Sequence, residues 1–206
     1  MRKLFLASNS GYKAREFSAL AHGLTVGTDA SPIEIVSASA IGGFPAVAED
    51  AGTLIGNAQK KAAALQDRLA PGAWALADDS GLFVDALSGA PGVDSATYAG
   101  RHGDDAANIL KLLDEMRRVP ASERSARFIC LLLVRGPRGV EETFEGACEG
   151  RLLTEARGTG GFGYDPIFAP IGFQQSFAEM EPEVKNRISH RAVAWAKLMR
   201  WLEARR

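Results

Sequence analysis

The chain has 206 residues, 46% of them hydrophobic and 24% charged, which is the composition of an ordinary globular protein. Its length favours a single domain over residues 1–206. The net charge of −1 provides no overall field to attract nucleic acid, and no apolar run approaches the ~20 residues that span a bilayer. We therefore expect no nucleic-acid or membrane partner, and any polyanionic ligand would need a local cluster of basic groups.

The predicted elements of the N-terminal half alternate between strands and helices. In chain order they are a strand over 3–8, a helix capped by Ser10, a strand over 24–29, an irregular segment over 31–48, a helix at about 53–69, and strands over 74–77 and 82–87. Asp78-Asp79-Ser80-Gly81 stands between the last two strands. This alternation is typical of an α/β protein.

The C-terminal half is predicted to contain a hairpin between two helices. Its elements are a helix over 104–117, a buried strand over 128–134, a turn at 136–139, a strand around 140–148, a glycine-dense segment over 157–166, and a helix that starts near Ser189. Together the two halves predict an α/β fold with a mixed sheet. Cys130 and Cys148 lack partners at metal-ligand spacing, which favours buried free thiols and suits a reducing cytoplasm.

Two adjacent acids, Asp78 and Asp79, follow an apolar strand, and ligands of α/β sheets bind beyond the carboxyl ends of strands. Neighbouring strand residues face opposite sides, so one acid would reach a ligand or metal while the other fixes the local backbone. Carboxylate oxygens together with phosphate oxygens suit Mg²⁺. The alternative is an acidic turn without a ligand.

A second acidic pair, Glu49-Asp50, precedes the predicted helix that carries Asn57 and Lys61 four residues apart on one face. Asp50 could supply a second metal carboxylate, and Lys61 could contact a phosphate. The alternative is a solvated helix start whose acids are favoured by the helix dipole.

The segment Ser8 to Lys13 joins a strand to a helix N-terminus, where backbone N–H groups and the helix dipole favour an anion. Lys13 adds a positive charge for phosphate. The segment does not match the Walker pattern, which argues against ordinary P-loop chemistry. A well-capped helix with a surface lysine is the alternative.

Residues 158–163 match G-x-G-x-x-G, but a dinucleotide-binding fold requires a helix to begin there. Pro166 biases Asp165 away from helix, so we reject the dinucleotide interpretation. A glycine-rich loop bearing Phe162 and Tyr164 suits a wall for a purine, because aromatic faces stack on bases. A tight turn with two core aromatics is the alternative.

Ser189 is a good N-cap, which places His190 and Arg191 at the first helical positions. Cations are disfavoured there, so two of them indicate that an anion shares the site. His190 alone could also be a structural histidine. Basic groups at Lys13, Lys61, Lys185, His190 and Arg191 together with acids at Asp50 and Asp79 favour a metal-bound nucleotide.

At this point the sequence resembles the inosine/xanthosine triphosphate pyrophosphatase family (dITP/XTP pyrophosphatases). The resemblance runs in family order across nearly the whole chain. It is carried by Ser8 through Lys13 with Glu16, Asn57-Ala58, Lys61-Ala62, Ala77 through Leu82, Gly89 through Val93, Ser95-Ala96, Gly158 through Phe168, Lys185, and Ser189-His190-Arg191.

The resemblance implies a long central mixed β-sheet flanked by helices, with two lobes and a nucleotide cleft between them. It implies homodimers, Mg²⁺ as cofactor, and hydrolysis of ITP, dITP and XTP to the monophosphate and pyrophosphate. Asp79 is implied as proton acceptor and magnesium ligand, and Asp50 as a second metal position. The residues implied to bind substrate are Ser8, Asn9, Ser10, Gly11, Tyr12, Lys13, Lys61, Ser80, Phe162, Gly163, Tyr164, Asp165, Lys185, His190 and Arg191.

This sequence departs from the family pattern at two places. Ser10 stands where the family usually has Asn. Tyr12, directly before the lysine, stands where the family has a small residue. The segment from Glu49 to Asn57 is one residue shorter than usual and has Ala51 in place of Thr, which leaves the choice between Glu49 and Asp50 as metal ligand open.

Three other functions compete with this one. A related pyrophosphatase would prefer a different base, and a non-catalytic nucleotide-binding protein would bind ITP without releasing pyrophosphate. A serine hydrolase using Ser80 or Ser189 is the third, but no G-x-S-x-G elbow supports it.

Overall fold

The computed structural model describes residues 2–23 and 33–205, over which the chain forms a seven-stranded sheet with helices packed against it. The strands are β1 (Arg2–Leu6), β2 (Ile33–Ser37), β3 (Trp74–Val84), β4 (Pro91–Gly92), β5 (Ser125–Arg135), β6 (Glu141–Leu152) and β7 (Phe168–Pro170). The helices are α1 (Gly11–Gly23), α2 (Leu54–Gln66), α3 (Asp105–Glu115), α4 (Pro182–Ile188) and α5 (His190–Glu203).

The sheet is mixed, as the sequence predicts. Its strand order is β2-β1-β3-β5-β6-β7, with β4 paired to β3 outside this path. Strand β1 runs parallel to both β2 and β3, whereas β4 is antiparallel to β3 and β7 is antiparallel to β6. The predicted α/β fold with helices flanking a mixed sheet is therefore confirmed.

The chain divides into two compact units. The first consists of Met1–Asp79, Cys130–Gly146 and Ala192–Arg206, and the second of Ser80–Ile129 and Ala147–Arg191. Strands β3, β5 and β6 each contribute residues to both units. The family resemblance implies two lobes, and the division of the chain into two compact units agrees with that implication.

The core of the first unit lies between the sheet and helices α1 and α5. The strands contribute Leu76 and Leu132 to this core, and the helices contribute Phe17 and Trp195. The ring centroids of Phe17 and Trp195 are 5.9 Å apart. Leu198 and Leu202 of α5 are buried in the same core. Trp195, Leu198 and Leu202 recur at helical spacing, so these residues decide which face of α5 packs inward.

The core of the second unit is rich in aromatic rings. Phe128 packs edge-on against Phe168, with ring centroids 4.7 Å apart, and stacks against Phe177. The buried Arg124 guanidinium donates to the carbonyl oxygens of Met116, Leu152 and Leu153, among others. These bonds offset the cost of burying its charge and hold three chain segments together.

The structure corrects three local predictions. Residues 31–48 are not wholly irregular, because β2 pairs with β1 and so satisfies its backbone hydrogen bonds. The strands predicted over 74–77 and 82–87 are one continuous strand, β3, so the two acids lie inside a strand rather than beyond its end. Helix α4 was not predicted, although Pro182 at its start is a typical first helical residue.

Other local predictions are confirmed or fall outside the described residues. Helices α2 and α3 begin one residue after Thr53 and Asp104, whose side chains accept hydrogen bonds from the first turns. Cys130 and Cys148 are buried and are not joined by a disulfide. The strand predicted over 24–29 lies outside the described residues. Among the helices in the described part of the chain, none has the length and apolarity needed to cross a membrane.

Candidate active site

Asp78 and Asp79 are buried in the middle of β3, within the first unit. Their carboxylates point to opposite faces, as the alternation of a strand requires. Asp78 contacts Lys13 at 2.7 Å and accepts a hydrogen bond from the Cys130 thiol at 3.2 Å. Asp79 contacts Lys61 instead. Each buried acid therefore has a cation of its own.

The segment Ser8 to Lys13 forms the predicted junction between β1 and α1. The Lys13 N–H faces Ser10 Oγ at 3.4 Å, which places Ser10 as the N-cap. The Asn9 amide bonds both backbone groups of Phe44, donating at 2.8 Å and accepting at 3.0 Å. The Tyr12 side chain is half exposed beneath the Arg15 guanidinium, 4.7 Å from the ring centroid. The loop thus places Lys13 next to Asp78.

Lys61 lies between two carboxylates. Its ammonium contacts Asp79 Oδ1 and lies 3.0 Å from Glu49 Oε2. Asn57, one helical turn earlier, donates to Asp79 Oδ2 at 3.3 Å and accepts from the Ala51 N–H at 3.1 Å. Helix α2 therefore contacts both acidic segments, Glu49-Asp50 and Asp78-Asp79. The four-residue spacing of Asn57 and Lys61 places both side chains on the helix face that makes these contacts.

We call Lys13, Glu49, Lys61, Asp78 and Asp79 the carboxylate–lysine cluster. The charges of Glu49, Lys61 and Asp79 perturb one another. Burial raises the pKa of Asp79 to about 6, against the opposing pull of Lys61. Burial also acts to raise the pKa of Glu49, but Lys61 outweighs it and the pKa of Glu49 lies below its usual range. Burial acts to lower the pKa of Lys61, and the charges of Asp79 and Glu49 more than reverse this. The pKa of Asp79 therefore lies much nearer neutral pH than that of Glu49.

Asp50, predicted as a metal ligand, stands apart from this cluster. Its side chain is 70% exposed and pairs with Lys60, which holds the pKa of Asp50 below its usual range. Glu49, the neighbour that the sequence left as an alternative, is the acid that reaches Lys61 and Asp79.

The donors of the cluster fit a hard cation such as Mg²⁺. Glu49 and Asp79 are close enough for the charge of Glu49 to raise the pKa of Asp79. Mg²⁺ is commonly held by one or two carboxylates and completed by water and phosphate oxygens. Within residues 2–23 and 33–205, no group of three or more His, Cys, Asp or Glu could hold a metal, so the chain offers two carboxylates rather than a closed cage.

A second group of predicted residues meets in the second unit. Lys185 donates to Asp165 Oδ2 at 2.7 Å, and the Phe162 N–H donates to the same oxygen at 2.9 Å. The half-buried Phe162 ring lies 5.5 Å from the Lys185 ammonium and 4.9 Å from the Arg191 guanidinium. We call Phe162, Asp165, Lys185 and Arg191 the aromatic–cation cluster. It offers an aromatic face bordered by hydrogen-bond donors.

Other predicted residues of the second unit lie in or near its core. Tyr164 is buried and its hydroxyl donates to the Ser95 carbonyl at 2.9 Å. The buried His190 ring stacks on Phe128 with centroids 4.7 Å apart. Ser80 is half-buried in β3, and Gly163 is half-buried in the loop. The loop that the sequence interpreted as a wall with two aromatics therefore presents Phe162 outward and turns Tyr164 inward.

Comparison with known proteins decides the family. The model of the Ham1 family matches residues 4–201. The chain belongs to the Ham1 family. The family resemblance predicted from the sequence is thereby confirmed.

Two relatives in this family are named dITP/XTP pyrophosphatase. The protein from Opitutus terrae is 58% identical over 199 residues, covering 97% of this chain and 98% of that protein. The protein from Desulforamulus reducens is 46% identical over 197 residues, covering 96% of this chain and 94% of that protein. The similarity therefore extends over nearly the full length of each protein.

Solved structures of Ham1 relatives share the fold. The Ham1 protein of Staphylococcus aureus superposes with a TM-score of 0.82 at 33% identity, covering 100% of both chains. A nucleoside-triphosphatase / dITP/XTP pyrophosphatase from Mycobacterium abscessus gives a TM-score of 0.72 at 38% identity, covering 95% of this chain and 98% of that one.

Replacing Lys61 with Met should strongly destabilise the protein, because it leaves Asp79 and Glu49 without the cation between them. We expect a loss of about 3–5 kcal/mol in the free energy of unfolding. Urea denaturation measures it. The matched control is Lys60→Met, which removes the exposed pair with Asp50 and should cause no measurable change. Equal losses in the two variants would contradict the role assigned to Lys61.

Proposed function

We propose that this chain hydrolyses the triphosphates of deaminated purines, namely ITP, dITP and XTP, to the nucleoside monophosphate and pyrophosphate. The reaction would clear these nucleotides from the cellular pool. The observation that carries the proposal is the buried Asp79, held beside Lys61 and Glu49 in a chain of the Ham1 family. The names of the relatives from Opitutus terrae and Desulforamulus reducens support the same reaction.

In this mechanism Asp79 is the proton acceptor. A water oxygen attacks the α-phosphorus, the bond from that phosphorus to the bridging oxygen breaks, and pyrophosphate leaves with the electron pair. The proton of the water passes to the Asp79 carboxylate. The Asp79 carboxylate is buried beside Lys61, which places the proton acceptor within the cluster that would hold the phosphates.

The phosphates are assigned to the first unit. Lys13 and Lys61 supply positive charge, and Ser8 to Tyr12 supply the N-terminus of α1, whose backbone N–H groups favour an anion. Both lysines are already held by buried carboxylates, so they need little rearrangement when charge develops. Preorganised charges of this kind are often the largest single contribution to catalysis.

Asp79 and Glu49 would hold Mg²⁺. When bound there, Mg²⁺ would neutralise charge on the phosphates and hold the polyphosphate in one arrangement. Asp50, the metal position implied by the family resemblance, remains the competing ligand. The exposed position of Asp50 and its pairing with Lys60 favour Glu49.

The base is assigned to the aromatic–cation cluster. Phe162 offers a face for stacking, and Lys185 and Arg191 offer donors. Their N–H groups donate but do not accept, which fits a 6-keto oxygen and opposes the 6-amino group of adenine. We keep Ser80, Gly163 and Asp165 as proposed substrate contacts. Tyr164 and His190 also remain proposed substrate-binding residues, although both are buried and would support the site from the core.

We further propose a homodimer that resides in the cytoplasm. Two buried thiols that form no disulfide suit a reducing compartment. Light scattering after size-exclusion chromatography should give about twice the 21.9 kDa mass of the chain. A mass that stays at 21.9 kDa at micromolar concentration would contradict the dimer.

Pyrophosphate release should separate the competing functions. With Mg²⁺ present, we expect rapid release from ITP and XTP, slower release from dGTP, and a kcat/KM for dATP lower by about 10⁴-fold. A base preference for another nucleotide would favour the related pyrophosphatase. Binding of ITP without release would favour the non-catalytic nucleotide-binding protein.

Asp79→Asn should lower kcat for ITP by about 10²–10⁴-fold, because the variant lacks the proton acceptor. Its circular dichroism spectrum should match that of the parent, since Lys61 keeps Glu49 as a partner. Asp114→Asn is the matched control, because that carboxylate is exposed and pairs with Arg117 on the surface. Near-normal turnover by Asp79→Asn would overturn the assignment.

Glu49→Gln should raise the Mg²⁺ concentration needed for half-maximal activity by at least about tenfold. Asp50→Asn should leave that concentration within about twofold, because the Asp50 carboxylate is exposed. Titration of pyrophosphate release with MgCl₂ measures both. The reverse result would establish Asp50 as the ligand.

A further inference from the structure

The loop that carries Phe162 is held at three points through its backbone N–H groups. Gly160 donates to the Ala178 carbonyl at 3.0 Å. Phe162 donates to Asp165 Oδ2 at 2.9 Å, and Gly163 donates to Asp105 Oδ2 at 2.7 Å. The third bond joins the loop to the first turn of α3, 58 residues away in the sequence.

The adjacent residues Asp104 and Asp105 at the start of α3 bind different partners. Asp104 is the N-cap, and its Oδ1 accepts from the Ala107 N–H at 3.1 Å. The Asp105 carboxylate bonds the Gly163 N–H instead, at the shortest of the three loop contacts. Since Asp104 already caps the helix, the contact made by Asp105 serves the loop.

The bond to Asp105 bears directly on where the Phe162 ring lies. Peptide groups are planar, so fixing the N–H of Phe162 and the N–H of Gly163 fixes the backbone on both sides of the Phe162 Cα. Gly161 and Gly163 flank it with φ of +72° and +60°, conformations that glycine leaves and enters easily. A loop of this composition needs an external tether to hold one arrangement.

Packing also limits the other end of the loop. A Cβ on Gly158 would lie 2.5 Å from the Ala178 carbonyl carbon, and one on Gly160 would lie 2.9 Å from its oxygen. A Cβ on Gly163 would meet nothing within 4 Å. The space beside the Gly163 Cα is therefore open, and the hydrogen bond to Asp105 is what holds the Gly163 N–H, while the buried Tyr164 anchors the following residue.

We propose that Asp105 is a positioning residue that holds the Phe162 ring in place for the nucleotide base. The inference rests on the proposed function, since Phe162 is there assigned to stack on the base. Asp105 acts through Gly163 and touches no substrate itself. Stacking is equal in the ground state and the transition state, so Asp105 affects KM rather than kcat.

The test compares Asp105→Ala, Asp105→Asn and Asp104→Ala in steady-state release of pyrophosphate from ITP. Asp105→Ala should raise KM about tenfold with kcat within about twofold, because a hydrogen bond to a charged group is lost. Asp105→Asn keeps an acceptor oxygen and should restore most of the affinity. Asp104→Ala loses the helix cap and lowers the melting temperature, but should leave KM unchanged.

Hydrogen exchange of the Gly163 amide gives a second readout that does not depend on turnover. The amide should be protected in the parent and in Asp104→Ala, and should exchange at least about tenfold faster in Asp105→Ala. An unchanged KM together with an unchanged exchange rate in Asp105→Ala would overturn the inference. Equal KM increases in Asp104→Ala and Asp105→Ala would also overturn it, by showing that helix stability alone matters. Failure of the parent to release pyrophosphate from ITP would instead reject the proposed function.

Discussion

Two neighbouring aspartates buried inside one strand set the main constraint on the first unit. A strand sends consecutive side chains to opposite faces, so Asp78 and Asp79 make their direct contacts with different cations. The chain answers with Lys13 from α1 on one side and Lys61 from α2 on the other. Both helices are thereby fixed against β3 by charge as well as by apolar packing. Removing either lysine would leave a buried carboxylate without its cation, which lowers the free energy of unfolding more than most single substitutions do.

The same constraint separates what the sequence could predict from what it could not. Helices α2, α3 and α5 could be predicted because the composition and residue spacing that indicate a helix lie within a short stretch of the sequence. Strand β3 was divided in two because a pair of acids ordinarily ends a strand. The cations that permit it to continue lie 18 residues away for Asp79 and 65 for Asp78, so no local pattern announces them.

The site residues show the same division. That Asn57 and Lys61 lie on one face of α2 could be inferred from their spacing. The choice between Glu49 and Asp50 could not, since adjacent residues in an irregular segment differ only in where the backbone aims them. The contact between Asp105 and Gly163 was not predicted either. The sequence does carry a signal for it, because two adjacent acids stand at the start of α3 and only one of them can be the N-cap.

Strand β3 also restricts how this protein can change in length. One residue inserted between Trp74 and Asp78 would slide the register and send each carboxylate to the face now occupied by the other, next to the wrong lysine. Two residues inserted there would restore the faces but shift both acids along the strand. Evolutionary insertions and deletions should therefore collect in turns such as residues 67–73, whereas the strand itself admits substitutions alone.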